Sequence, residues 1–212
     1  MSSYEGCTTE AIGEYFHWYK PNPDDLIFDI GAYCGVTAYH LSKRVPTGKV
    51  YSFEPDPINF ELLTRNIERH GLKNVTPLPF GISDKTEEAA AFLSEGTMGS
   101  RLARHSSRIT VGDTNSVPTL SLEDACALYG VPDLAKVDIE GSESEMLAAA
   151  APFLRSHPIQ LAIDTNHFVD GTLTASAVED ILESCGYETE SDDGVGFMTT
   201  WARNSSVAVM AA

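Results

Sequence analysis

The sequence predicts an α/β fold: a seven-stranded, mostly parallel sheet with helices on both faces and an inserted hairpin or loop. Three observations carry that prediction. Short apolar runs alternate with segments of helical periodicity, the pattern of parallel strands joined by helical crossovers. No internal repeat or low-complexity linker interrupts the alternation, and 212 residues suit one domain. Glycines and acids gather where the apolar runs end, the edge at which open parallel sheets bind ligands.

The elements follow in order. Leu26–Ile30, bracketed by Pro21, Pro23 and Gly31, reads as a buried strand, with a helix over about 35–45. Lys49–Glu54 is the second strand. Ile58, Leu62, Leu63, Ile67 and Leu72 then recur at helical spacing, and Gly71 ends that helix. Val75–Phe80 is a third strand whose prolines place it at an edge. Leu134–Ile139 is the fourth, followed by a helix from Ser142, its expected N-cap, to about Leu154. Ile159–Asp164 is the fifth, and a helix near 174–184 stops at Gly186. Strands near Tyr187–Ser191 and Gly196–Trp201 complete the sheet. Residues from about 85 to 118 break the pattern: they are polar, hold Gly96, Gly99 and Gly112, and carry three of the eight arginines. They read as a hairpin and loop over the ligand-binding edge. An N-terminal segment (about 1–22) is expected to form a helix over Thr8–Tyr19, packed near the pocket or against a second copy of the chain.

Charge narrows the partners. Fourteen Lys+Arg against 31 Asp+Glu give −17. Phosphate backbones and anionic membrane surfaces call for clustered cations, and here they are few and scattered. Nucleic acid and membrane are therefore excluded as expected partners, and a small-molecule substrate is favoured. No stretch reaches the roughly 18–20 apolar residues of a membrane span. The start M-S-S-Y-E-G-C-T-T-E lacks a signal peptide's basic and apolar regions. Cys7, Cys34, Cys126 and Cys185 form no CxxC pair, so reduced thiols in a cytoplasmic setting are expected.

The chemistry lies at the strand ends. Strand one runs into Asp29-Ile30-Gly31-Ala32-Tyr33-Cys34-Gly35, a D-x-G-x-x-x-G loop. Gly31 lets backbone approach a ligand, and Gly35 opens the next helix. Strand two ends in Phe53-Glu54-Pro55-Asp56-Pro57, with Glu54 placed to accept both hydroxyls of an adenosine ribose and Asp56 placed to cap a helix. The two motifs in consecutive units indicate an adenosine cofactor. The third glycine of a dinucleotide fingerprint and the G-x-x-x-x-G-K-[ST] of a phosphate loop are both missing, which argues against NAD and ATP. S-adenosylmethionine carries no phosphate and fits what remains.

F-D-I-G-A-Y-C-G, Y-S-F-E-P-D-P, G-I-S-D-K, V-P-T-L-S-L-E-D and K-V-D-I-E-G-S-E-S-E-M-L follow in an order that resembles the FkbM-type members of the class I S-adenosylmethionine-dependent methyltransferases, from about Leu26 to about Gly186. The resemblance implies the Rossmann-like class I fold and a set of roles. Asp29, Gly31 and Gly35 form the loop around the methionine and ribose portion. Glu54 binds the ribose, with Pro55 beside the adenine. Phe80, Gly81 and Ile82 line the adenine slot, and Asp84 adds a polar contact. Asp138 faces the amino-acid end of the cofactor and the methyl group.

Asp138, Glu140 and His167 are the candidate catalytic residues. His167 lies just past strand five, where an imidazole can take a proton from a substrate hydroxyl. Magnesium held by Asp138, Asp164 and Asn166 is the less favoured arrangement, and no metal is assigned. The expected activity is O-methylation of a small or sugar-like molecule. The alternatives are N-methylation of a small amine or peptide, a cofactor-binding module without turnover, and a nicotinamide dehydrogenase.

Overall fold

The computed structural model describes residues 12–13, 15–93, 101–102, 114–169, 171–192 and 198–204. Its strands are β1 (Leu26–Ile30), β2 (Lys49–Phe53), β3 (Val75–Leu78), β4 (Gly81–Ser83), β5 (Glu87–Leu93), β6 (Arg101–Leu102), β7 (Thr114–Ser121), β8 (Leu134–Val137), β9 (Gln160–Asp164), β10 (Phe168–Val169), β11 (Thr172–Leu173), β12 (Glu188–Ser191) and β13 (Thr199–Arg203). Its helices are α1 (Val36–Arg44), α2 (Pro57–His70), α3 (Leu122–Tyr129), α4 (Glu143–Ser156) and α5 (Thr174–Ser184).

The main sheet has seven strands in the order β12-β13-β9-β8-β1-β2-β3. Its pairings from β9 through β3 are parallel, and β13 joins β9 antiparallel, as β12 does β13. The seven-stranded, mostly parallel sheet expected from the sequence is present, and Pro77 sits in an edge strand as expected. Side chains alternate between two cores. Phe28, Ile30, Phe53 and Val137 pack with α3, α4 and α5 through Cys126, Met146, Leu147 and Val178. Ile27, Val50 and Leu134 pack on the other face with Ala38 and Leu41 of α1 and Leu63 and Ile67 of α2. Both faces are thus covered, which is why these strands read as continuous apolar runs.

The order reverses at β1, with β2 on one side and β8 on the other. That switch point opens the crevice at the carboxyl ends of β1 and β8. Between β3 and β8 the chain makes a second sheet in the order β4-β7-β5-β6. β5 pairs antiparallel with both β6 and β7, so the insertion holds three antiparallel strands where a hairpin and loop were expected. β4 and α3 were not foreseen. The signal for α3 was present: Ser121 accepts the Asp124 N–H at 3.1 Å as its N-cap, with Glu123 and Asp124 in the first turn. Gly96, Gly99 and Gly112, and the helix expected before Ile12, lie outside the described residues. Ile12 and Gly13 are helical, but the chain turns from Tyr15, so the expected helix does not reach Tyr19. Tyr15, Phe16, Trp18 and Tyr19 instead pack as an apolar strap on the second core. No helix among the described residues is long and apolar enough to cross a membrane.

Candidate active site

The end of β1 is shaped by backbone. Gly31 has φ +76°, and a Cβ there would lie 1.7 Å from the carbonyl oxygen of Asp138, so no side chain fits. Gly35, at φ 90°, starts α1. Between them Tyr33 holds φ 48°, a left-handed conformation costly for a bulky residue. The Tyr33 N–H donates to Glu54 Oε2 at 2.8 Å, and the Asp56 N–H donates to Oε1 at 2.9 Å. Glu54 is only 5% exposed, and burial pushes its carboxyl up to about 7 despite those two donors. Asp56 caps α2 through the N–H groups of Ile58 and Asn59, the role its position predicted. Pro55 and Gly81 face each other: a Cβ on Gly81 would meet Pro55 at 3.5 Å. Phe80 packs on the core edge, and Asp84 accepts the Ser83 hydroxyl. Ile82 departs from the expected slot-lining role, because its side chain is drawn into the apolar core.

Asp29 stands beneath the loop: it is fully buried, takes the Ser52 hydroxyl at 3.3 Å and pairs with Lys136 Nζ at 3.5 Å. Lys136 was assigned no role from the sequence. Its ammonium donates to the carbonyls of Gly31 (2.6 Å) and Ile30 (3.2 Å) and lies 3.8 Å from Asp138. Burial opposes its charge, but Asp138 and Asp29 outweigh burial and hold it protonated. A lysine inside the apolar run L-A-K-V was the available signal, since a buried lysine requires partners.

The second half of the site brings together the predicted trio. His167 Nε2 lies 3.9 Å from Asp138 Oδ1 and 3.6 Å from Glu140 Oε2, while Nδ1 lies 3.0 Å from Glu143 Oε1. Glu143 is fully buried, and Oε1 also receives the N–H groups of Ile139 and Gly141. It thus closes the turn before α4, and the expected Ser142 side-chain cap is not made. Glu140 has φ 56° and is followed by Gly141 at φ +99°, where a Cβ would meet Val169 at 3.2 Å. The turn and the His167 segment are therefore pressed together. Burial works against a charged imidazole, but Glu143, then Asp138 and Glu140, raise His167 to about 9. Burial raises Glu140 to about 7 and, with Asp138, Asp164 to about 6. Asp164 accepts the Asn166 N–H at 3.2 Å, a local turn bond. Tyr15, also unassigned from the sequence, feels the charges of Lys136, Asp138, Asp164 and Asp29, so the N-terminal strap reaches this site.

The domain family described as the methyltransferase FkbM domain matches residues 29–189, which include both halves of the site. The hexuronic acid methyltransferase AglP of Haloferax volcanii is 29% identical over 139 residues, 63% of this chain and 53% of that protein. Methyltransferase 1 of Beauveria bassiana is 26% identical over 152 residues, 60% of this chain and 59% of that protein. The chain therefore spans little more than half the length of these relatives. The crystal structure of a methyltransferase FkbM from Methylobacillus flagellatus superposes with a TM-score of 0.63 at 18% identity, over 89% of this chain and 47% of that one. Sheet order, strand-end motifs and family match agree: the chain is a methyltransferase domain and belongs to the FkbM family.

Proposed function

We propose that this domain binds S-adenosylmethionine at the ends of β1 and β2 and transfers its methyl group to an oxygen of a small, sugar-like acceptor held at Asp138, Glu140 and His167. One observation carries the reading: the glycine loop and the charged trio meet, because Gly31 lies directly against the Asp138 carbonyl. A cofactor cradled by Gly31, Gly35 and Glu54 then points its sulfonium toward the trio. The surrounding carboxylates suit that cation and disfavour phosphate-rich ligands.

In the transfer the acceptor oxygen forms a C–O bond as the C–S bond breaks, in line. Cationic sulfur is already a good leaving group, so alignment and exclusion of water are the main tasks. When the acceptor is a hydroxyl, its proton passes to the carboxylates of the trio. The relative acting on a hexuronic acid supports a sugar acid or related polyol as the acceptor class.

Calorimetry with S-adenosylhomocysteine and with NAD tests the cofactor, and labelled methyl transfer over hexuronic acids, sugars and amines tests the acceptor. S-adenosylhomocysteine binding and label on a sugar-like oxygen are expected. Glu54→Ala weakens that binding by at least about tenfold, because charge-assisted hydrogen bonds are lost. NAD binding without S-adenosylhomocysteine binding overturns the cofactor, and label on amines alone overturns the acceptor.

A further inference from the structure

The trio holds more than a proton-transfer group requires. Asp138, Glu140 and His167 each offer one ligand atom, and the three atoms lie within 4.8 Å of one another. The two carboxylate oxygens stand 3.9 and 3.6 Å from Nε2, within the roughly 4.0–4.6 Å that two cation–ligand bonds of about 2.0–2.3 Å can span. The histidine has a buried acid behind it: fully buried Glu143 stands 3.0 Å from Nδ1, on the side of the ring away from the two carboxylates that face Nε2, although Nδ1 itself makes no hydrogen bond of good geometry. The other oxygen of Glu143 is buried with no hydrogen-bond partner among the described residues. Charge is also unbalanced. Lys136 is shared between Asp29 and Asp138, and no lysine or arginine stands beside Glu140 or Glu143 among the described contacts. The left-handed Glu140 and the close Gly141–Val169 approach hold Glu140 in the group at a cost in strain.

We propose that Asp138, Glu140 and His167 form a binding site for one divalent cation of the manganese class, through Oδ1, Oε2 and Nε2. Two carboxylates and one imidazole suit such a cation better than magnesium, which prefers oxygen ligands throughout. Resting on the methyl-transfer reading, the cation's use is to hold the acceptor oxygen beside the cofactor methyl. Its site differs from the Asp138–Asp164–Asn166 arrangement considered from the sequence: the ligand atoms that cluster with Asp138 are those of Glu140 and His167.

The test is Mn²⁺ binding to chelator-treated protein by calorimetry and pulsed electron paramagnetic resonance. One ion per chain is expected, with a single imidazole nitrogen coupled to it. Glu140→Gln and His167→Asn each weaken it at least about tenfold, and His167→Asn removes the nitrogen coupling. Glu143→Gln weakens it while leaving the coupling in place, as a positioning residue should. S-adenosylhomocysteine affinity, measured on every sample, reports the fold and separates the two readings. Cofactor binding without Mn²⁺ binding, or Mn²⁺ binding indifferent to both ligand variants, overturns the site. Mn²⁺ binding without cofactor binding leaves the site standing and removes the methyl-transfer reading.

Discussion

The two halves of the crevice are built from different materials. The cradle at β1 and β2 is mostly backbone: two glycines in left-handed conformations and two N–H groups converging on Glu54. The cluster beyond β8 and β9 is side-chain chemistry, with Asp138, Glu140, Glu143 and His167 in mutual contact. A backbone cradle is fixed by the fold and serves a ligand of constant shape. A side-chain cluster can be retuned by single replacements, which suits the part of the site proposed to meet the acceptor. Gly31 and Lys136 join the halves, and replacing either tests whether they are separable.

Gly31→Ala is expected to have the largest effect. The added carbon would overlap the Asp138 carbonyl at 1.7 Å, at a φ of +76° that alanine avoids. Backbone on both sides must shift, a loss of more than about 3 kcal/mol. Thermal unfolding should show a large drop, with cofactor and Mn²⁺ binding lost together. A variant of native stability would mean that the joint is not rigid.

Lys136→Met comes next. It leaves Asp29 buried without its cation, and breaking a buried pair from one side costs about 3–5 kcal/mol. The double variant Lys136→Met with Asp29→Asn should recover a large part of that loss in denaturant unfolding. Failure of the double variant to recover would show that the ammonium matters mainly through its bonds to the Ile30 and Gly31 carbonyls.

The contrast between the halves also explains what the sequence disclosed. The cradle was legible because its parts are local: D-x-G-x-x-x-G and F-E-P-D each fall in a single turn after a strand. The sheet was legible because burial on both faces removes polar residues from its strands. Lys136 and Glu143 were missed because their partners come from other elements, Gly31 from β1's end and His167 from β9's. Periodicity carries no record of such pairings. The pairing of Asp29 with Lys136 was not legible because a strand-end acid and a buried counterion look alike in one dimension. Ile82 was misjudged because the second sheet, which turns it inward against Leu120, was not foreseen.

pH separates the halves more finely. Burial raises Glu54 to about 7, and in the proposed complex the ribose hydroxyls bond best to its ionised form. As pH falls from 8 through 7, a growing fraction must shed a proton to bind. At pH 5.5, about 1.5 units below, S-adenosylhomocysteine affinity should be lower by about thirtyfold. Fold stability moves the other way. With the folded value raised above the ordinary 4.5, Glu54's contribution is fully present below 4.5 and lost as pH rises through about 7. Calorimetry of S-adenosylhomocysteine binding across this range should give a markedly steeper slope for the native protein than for Glu54→Gln, whose remaining slope reports Glu140 and Asp164. A slope of undiminished size in Glu54→Gln would place the titrating group elsewhere.

The smallest expected effect is the relief of strain, and it divides the halves most sharply. Tyr33 and Glu140 are the non-glycine residues at positive φ among the described residues, one in each half. Asparagine adopts this conformation more readily than either. Tyr33→Asn and Glu140→Asn should each gain about 0.5–1 kcal/mol, or a few degrees in Tm for a chain of this length. Tyr33 contributes its N–H to Glu54, and that group survives the replacement. Glu140 contributes its carboxylate to the trio, which does not survive. The cradle variant should therefore gain stability and keep its bond to Glu54, whereas the cluster variant should gain stability and lose Mn²⁺ affinity. Strain in the cradle is then a by-product of the turn, and strain at Glu140 serves to place a ligand. A fall in Tm for Tyr33→Asn would show that the tyrosine ring makes a packing contribution larger than the strain it brings.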